Sequence, residues 1–180
     1  GVQTCALPIS HSAGTHLPIG DLKLNFTYPE GELSDYHHEL DLTTATNTVT
    51  YKVGDTEYTR QCIASNPDDV IAMHIKASRP ESITVELELQ PLRNAEVVAS
   101  GNQLIYTGNA EFEKHGRGGV LFEGRIAAEI KGGTIKADGK KLLIDKATEV
   151  LLLSDVRTNY KNTTFAGYDY QQKCKETIEA

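Results

Sequence analysis

The feature that most constrains this chain is a hydrophobic alternation of period two, which recurs from Asp21 to Ser154. Successive side chains of a β-strand point to opposite faces, so this alternation predicts strands with one buried face. Ile83–Leu89 is the clearest example, because every second residue is a large aliphatic one. The pattern predicts a chain built from many short strands.

Turn signals separate these strands at regular intervals. Gly54-Asp55, Ser100-Gly101-Asn102 and Asp138-Gly139 are dipeptides or tripeptides of the kind that close β-hairpins. The predicted strands are Asp21–Tyr28, Tyr36–Leu42, Thr48–Val53, Glu57–Ala64, Val70–Ala77, Ile83–Leu89, Glu96–Ala99, Gln103–Thr107, Val120–Ile130, Thr134–Ala137, Lys141–Ile144 and Glu149–Ser154. Such an array indicates an all-β fold, an antiparallel sandwich.

Three segments carry more detailed expectations. Gly124 interrupts the long strand Val120–Ile130, where a bulge or bend is expected. The continuous apolar run Val150–Leu153 predicts a strand covered on both faces. Tyr168–Ala180 has apolar residues spaced four apart, which predicts one short C-terminal helix without a C-cap signal.

Composition excludes two classes of partner. The net charge is −7, and the 25 acidic and 18 basic residues are spread along the chain. Nucleic-acid binding depends on clustered Lys and Arg, so we expect no nucleic-acid partner. No run of about 20 apolar residues occurs, and we therefore expect no membrane partner.

The first ten residues share no pattern with the rest of the chain. The stretch from Gly1 to Ser10 resembles a translated sequencing adapter, and we exclude 1–10 from the fold prediction. A disordered leader is the alternative interpretation. Cys62 and Cys174 are then the remaining cysteines, and two distant cysteines predict neither a disulfide framework nor a metal site.

The sequence offers few candidates for chemistry. The carboxylate pairs Glu30/Glu32, Glu86/Glu88 and Glu111/Glu113 have the residue type that glycoside hydrolysis uses. Each pair is predicted on an exposed strand face or turn, where a raised pKa is not expected. The adjacent His37 and His38 face opposite sides of a strand and cannot share a metal. We expect no catalytic residue, metal site or cofactor in this chain.

One loop is a candidate for contact with a ligand or another domain. His115-Gly116-Arg117-Gly118-Gly119 joins two predicted strands and lacks the context of a phosphate-binding loop. His115 and Arg117 could face a cleft or a neighbouring domain. A plain hairpin connection is the alternative interpretation.

Three ordered motifs carry a resemblance to a known family. Residues 15–26 contain Pro18, Gly20, Asp21 and Leu22, and residues 36–45 contain Glu39, Leu40 and Asp41. Residues 58–71 include Ser65, Pro67 and Asp68. Two weaker blocks follow, residues 122–125 and 150–160. In this order and spacing, they resemble the N-terminal domain of glycoside hydrolase family 95, which is α-L-fucosidase-like.

The resemblance implies a super-β-sandwich that packs against an (α/α)6 catalytic barrel. That barrel carries the chemistry in the family, so the resemblance places no catalytic residue in this chain. It implies that 11–160 is the N-terminal sandwich, incomplete at its start, and that 161–180 is a linker helix toward the missing catalytic domain. A missing strand would leave an unpaired sheet edge.

The motif residues also have a structural interpretation. Gly20 permits tight backbone geometry before a strand, and Asp21 can accept hydrogen bonds from nearby N–H groups. Pro67 and Asp68 suit a turn. These roles are structural, without any part in catalysis.

The resemblance implies partners and a function for the parent protein. The implied partners are its own catalytic domain and a glycan substrate, and the implied function is hydrolysis of terminal fucose from that glycan. A periplasmic or extracellular location is favoured by the same resemblance. The alternative is a free-standing carbohydrate-binding or adhesive β-sandwich, although the chain lacks Trp, the usual platform for sugar rings.

Overall fold

The computed structural model of the protein describes residues 18–92, 94–110, 120–160 and 168–180. These ranges form twelve strands and one helix. The elements are β1 (Gly20–Thr27), β2 (Leu33–Asp41), β3 (Thr46–Val53), β4 (Thr56–Ser65), β5 (Val70–Ala77), β6 (Ile83–Pro91), β7 (Asn94–Ser100), β8 (Gln103–Asn109), β9 (Leu121–Lys131), β10 (Thr134–Asp138), β11 (Lys141–Ala147), β12 (Glu149–Thr158) and α1 (Tyr170–Glu179).

The strands form two antiparallel sheets. The order is β1-β6-β11-β10 in a four-stranded sheet and β2-β3-β4-β5-β12-β9-β8-β7 in an eight-stranded sheet. Along the described strands, the chain passes from one sheet to the other five times. The predicted all-β antiparallel sandwich with a short C-terminal helix is confirmed.

The core lies between the two sheets and follows the predicted alternation. In β6, Ile83, Val85 and Leu87 are 0–1% exposed, whereas Thr84 and Glu86 lie on the opposite face and are half-buried. Burying an aliphatic side chain stabilises the folded state by about 1.5–3 kcal/mol. The alternating face of β6 is therefore one of the main contributors to stability.

Gly124 serves a different purpose from the predicted one. β9 passes through Gly124 without a register shift against either β8 or β12, so the bulge that the sequence suggested does not form there. A Cβ atom on Gly124 would overlap the side chain of Tyr106, which is 5% exposed. The glycine provides space for this buried aromatic ring.

β2 is a second difference between expectation and structure. The strand forms as predicted, but its apolar side chains are open, with Tyr36 59% and Leu40 58% exposed. β2 is one edge strand of the eight-stranded sheet, and β1 is one edge strand of the four-stranded sheet. An alternating pattern predicts a strand with one apolar face, but that face is buried only where another sheet or a helix packs against it.

The helix covers part of the sheet that contains β12. The side chain of Asp169 accepts a hydrogen bond from the backbone N–H of Gln172 at 3.0 Å and forms the N-cap. α1 then packs on β9 and β12 through Cys174 and Ile178, which are 0% and 7% exposed. In the apolar run of β12, Val150 and Leu152 are buried in the core, whereas Leu151 and Leu153 on the opposite face are only half-buried, because the contacts of α1 lie further along the strand, at Asp155 and Arg157.

Candidate functional site

The residues of the first motif lie at and before β1. Pro18 precedes the strand, and Gly20 is paired with Pro91. A Cβ atom on Gly20 would be 2.8 Å from the carbonyl oxygen of Gln90, so the close approach of two backbones requires glycine here. Asp21 lies on the outer face, and Leu22 packs against the core.

The second motif lies on the exposed edge strand β2 and the turn after it. Glu39 contacts the ring of His37 at 3.2 Å, and Leu40 faces solvent. Asp41 accepts hydrogen bonds from the backbone N–H of Thr43 at 2.8 Å and from the hydroxyl of Thr44 at 2.9 Å. These two hydrogen bonds hold the pKa of the Asp41 carboxyl below its usual value, and the bond from Thr43 has the larger effect. Asp41 stabilises the β2–β3 turn.

The third motif forms the turn between β4 and β5. The Ser65 hydroxyl donates a hydrogen bond to the carboxylate of Asp68, and Pro67 lies within the same turn. Asp69 has a φ of 58°, a conformation that Asp tolerates better than most residues. By strand register, this turn lies at the same end of the sheet as the β2–β3 turn.

The remaining candidates are far from this region or outside the described residues. Glu86 and Glu88 lie on the outer face of the four-stranded sheet, where both contact Lys141, at 2.8 and 3.3 Å. Glu30 and Glu32 are exposed. His115, Arg117 and the pair Glu111/Glu113 lie outside the described residues.

The most unusual feature of the molecule is a cluster of charged side chains beneath α1. We call Glu123, Arg125, Asp155 and Arg157 the charge cluster. The side chains of Glu123 and Asp155 are 5% and 6% exposed, and those of the two arginines 14% and 19%. Nε of Arg125 donates to Glu123 at 2.8 Å, and Nε of Arg157 donates to Asp155 at 2.7 Å. Each buried carboxylate is therefore paired with an arginine.

Strand register assembles the charge cluster. Asp155 is opposite Arg125 and Arg157 is opposite Glu123 in the β9–β12 pair, so the four charges alternate in sign on one face. The helix completes the arrangement, because Gln171 donates a hydrogen bond to Glu123 at 3.0 Å. The sequence pattern places Glu123 and Arg125 on a strand face but does not predict their burial. The one signal in the sequence is the repeated spacing of Glu-x-Arg and Asp-x-Arg.

A groove of about 440 Å³ opens beside the charge cluster. It lies between the β4–β5 turn and the end of β12. Its lining is both polar and apolar and consists of Ala64, Ser65, Asn66, Asp69, Val70, Ile71, Ser154, Asp155, Val156 and Arg157. Arg157 connects its two sides, because Nη2 of this residue is 3.2 Å from the carboxylate of Asp69. The third sequence motif thus meets the charge cluster at this groove, which is our candidate functional site.

Cys174 lies on the buried face of α1 in the same region. Burial, with a smaller effect of the Asp155 and Glu123 charges, raises the pKa of its thiol to about 12. The thiol is therefore protonated at neutral pH, and Sγ donates a hydrogen bond to the carbonyl of Asp155 at 3.6 Å. A protonated and buried thiol is a poor nucleophile, so Cys174 serves packing.

We predict that Cys174 does not react with a thiol reagent in the folded protein. In a Cys5→Ser/Cys62→Ser variant, the remaining thiol should react with Ellman's reagent only after denaturant is added. The half-exposed Cys62, retained alone in a Cys5→Ser/Cys174→Ser variant, is the control and should react without denaturant. Rapid labelling of Cys174 in the native protein would show that α1 is not stably docked.

Neither a metal site nor a membrane-spanning helix occurs within the ranges that the structure describes. No group of three or more His, Cys, Asp or Glu side chains there could hold a metal ion. No described helix is long and apolar enough to cross a membrane. The candidate site consists of paired charges and a groove that both polar and apolar residues line.

Comparison with known proteins gives three similarities. Residues 3–163 match the family described as "Glycosyl hydrolase family 65, N-terminal domain". The chain is 30% identical over 166 residues to "Alpha-L-fucosidase 2" of Arabidopsis thaliana, with 79% of this chain aligned. The chain spans only 20% of the length of that enzyme.

A solved structure shares the fold. "Putative kojibiose phosphorylase from human microbiome" superimposes with a TM-score of 0.54 at 12% sequence identity. The match covers 88% of this chain and 25% of the other one. At this identity the similarity concerns the fold alone.

Proposed function

Because this chain belongs to the family of glycosyl hydrolase family 65 N-terminal domains, we propose that it is the non-catalytic β-sandwich of a larger glycosidase. The single observation that carries this proposal is that residues 3–163 match a family of N-terminal domains. The proposed role is to pack against the catalytic domain of the same polypeptide.

The finer part of the proposal is that the parent enzyme belongs to family 95 and hydrolyses terminal α-L-fucose from glycans. The similarity to "Alpha-L-fucosidase 2" supports this assignment, as do the three motifs in residues 15–26, 36–45 and 58–71. Specificity resides in particular sites, and not in a shared fold, so the substrate depends on the part of the parent protein outside this chain.

The state of the described carboxylates supports a non-catalytic role. A glycosidase needs one carboxyl group that can protonate the leaving oxygen and a second one that acts on the opposite side of the sugar. Glu123 and Asp155 are each bonded to an arginine and lie beneath α1. Glu86 and Glu88 share Lys141, and the hydrogen bond from its ammonium group lowers the pKa of Glu86. Each of these four carboxylates is thus already bonded to a basic side chain of the fold.

Extending the parent coding sequence downstream of Ala180 tests the proposal directly. We expect a long helical region that contains the catalytic carboxylates. The extended protein should release p-nitrophenol from p-nitrophenyl α-L-fucoside, whereas the 180-residue chain at equal concentration should not. A stop codon after Ala180, or release of fucose by this chain alone, would contradict the proposal.

A glycan-binding measurement distinguishes the rival, a free-standing carbohydrate-binding or adhesive module. Calorimetric titration of the purified chain with fucosylated oligosaccharides should show no binding under our proposal. Clear affinity of the isolated chain would favour the rival. His115 and Arg117 are the residues to replace first in that case, because they are the predicted contact loop.

A further inference from the structure

The contacts of α1 define the direction in which it crosses the eight-stranded sheet. Near its start, Gln171 contacts Glu123 on β9 at 3.0 Å, and in its middle Cys174 contacts the backbone of Asp155 on β12. Near its end, Thr177 accepts a hydrogen bond from Arg157 at 3.3 Å. The start of α1 therefore lies over β9, and its middle and end lie over β12.

Arg157 connects the groove to the last turn of α1. The Arg157 guanidinium that contacts Thr177 also reaches Asp69 in the β4–β5 turn, at 3.2 Å. That turn forms one wall of the groove, and β12 forms the other. A polypeptide that continues from Ala180 therefore starts three residues after Thr177, which Arg157 connects to this groove of about 440 Å³.

The charges at this position favour a basic segment. The last four carbonyl groups of a helix have no partner within the helix, and its C-terminal end carries a partial negative charge. The last turn of α1 contains no basic residue, and Glu176 and Glu179 add negative charge there. Asp68 and Asp69 are exposed on the adjacent turn. A Lys or Arg would complement both the helix end and the turn.

The outer face of the other sheet is less suited to a second domain. Lys141 forms ion pairs there with Glu86 and Glu88, and Asn25 donates a hydrogen bond to Glu86 at 3.2 Å. Covering these exposed charges would require their desolvation, which is costly. In the groove beside α1, the side chain of Arg157 is only 19% exposed, against 39% for Lys141, so covering the groove removes less solvent from its cation.

We infer that the segment of the parent polypeptide that follows Ala180 lies in the groove between the β4–β5 turn and β12, where its basic side chains pair with Asp69 and the end of α1. This inference rests on the proposed function, which requires a longer polypeptide. The length of the Arabidopsis relative, of which this chain spans 20%, supports it. The β4–β5 motif is then a docking element for the linker.

Hydrogen–deuterium exchange tests this placement. The backbone amides of 66–71 should exchange about tenfold more slowly in the full parent protein than in the 180-residue chain, because the linker covers them. Amides of the four-stranded sheet, at 134–138, provide the internal control and should be unchanged. Equal exchange at 66–71 in the two proteins would overturn the inference.

A matched pair of variants separates docking from folding. Asn66→Arg places a long cation in the groove, and Thr134→Arg places the same side chain on the exposed outer face of β10. Both variants should leave the melting temperature of the 180-residue chain unchanged. In the parent protein, only Asn66→Arg should restore fast exchange at 66–71, and protection that survives this substitution would overturn the inference.

The outcomes also distinguish this inference from the proposed function. If the parent protein is an active glycosidase but 66–71 exchange equally in both proteins, the placement of the linker is wrong and the proposed function stands. If the coding sequence ends after Ala180, both fail.

Discussion

Replacing Glu123 by alanine should lower the free energy of unfolding by about 3 kcal/mol, because removal of one partner leaves a buried arginine without its carboxylate. The side chain of Arg125 is only 14% exposed, and Glu123 accepts its shortest hydrogen bond, at 2.8 Å. The bond from Gln171 is lost as well, so α1 should be the first element to loosen. Urea denaturation of the wild-type and variant chains measures the effect.

Two further variants show whether burial is the cause. A Glu123→Met/Arg125→Met double variant removes both charges while retaining volume, and should recover most of the loss, because buried ion pairs are often replaceable by apolar side chains. Lys52→Ala breaks the Lys52–Asp35 pair, in which both side chains are largely exposed, and should cost less than about 1 kcal/mol. If Glu123→Ala lowers the free energy of unfolding by no more than Lys52→Ala does, the prediction is wrong, because solvent then screens the charge cluster as it screens a surface ion pair.

Replacing Gly124 by alanine should destabilise the protein by about 3 kcal/mol, at the upper end of the usual cost of overpacking a core. The added methyl group would overlap three atoms of the Tyr106 side chain, which are Cζ, Oη and Cε1. Tyr106 packs against Phe122, with ring centroids 6.3 Å apart, and both are buried. The ring therefore has little room to move. Thermal or urea denaturation gives the change in stability.

The control for this prediction is Gly101, where the backbone conformation and not the available space disfavours a side chain. Gly101 has a φ of 59° but nothing within 4 Å of a Cβ position. Alanine there should cost about 1 kcal/mol, from the left-handed backbone alone. A Gly124→Ala/Tyr106→Leu double variant should lose less than the sum of its single variants, because the clash is relieved. Strict additivity would show that Gly124 is required for another reason.

The charge cluster also bears on the role of the domain. Paired buried charges contribute little net stability, but they require a single arrangement in which every partner is present. Arg157 illustrates this, because it contacts Asp155 on its own strand, Asp69 in the β4–β5 turn and Thr177 in α1. The cluster thus fixes where α1 ends relative to the groove. A domain that must present a linker in one direction would benefit from such a fixed end.

Much of the fold could be predicted from the sequence, because strand formation and the choice of face are local properties. The alternation in Ile83–Leu89 predicts the buried face of β6 correctly, and Asp138-Gly139 marks the hairpin between β10 and β11. The spacing of Tyr170, Cys174 and Ile178 predicts the start of the terminal helix to within two residues. The three motifs, each a short stretch of neighbouring residues, also indicate a glycoside hydrolase N-terminal domain.

The sequence by itself determined the strands, their inward faces and the kind of domain, since each depends on residues that are neighbours along the chain. Only the tertiary structure decided what covers each face. Glu123 and Arg125 have the pattern of a solvated strand face, and they are buried because a helix far along the chain packs over them, with Gln171 48 residues after Glu123. Leu40 has the pattern of a core residue, and it is exposed because its strand lies at a sheet edge. Periodicity specifies a face, whereas burial depends on contacts between segments far apart in sequence.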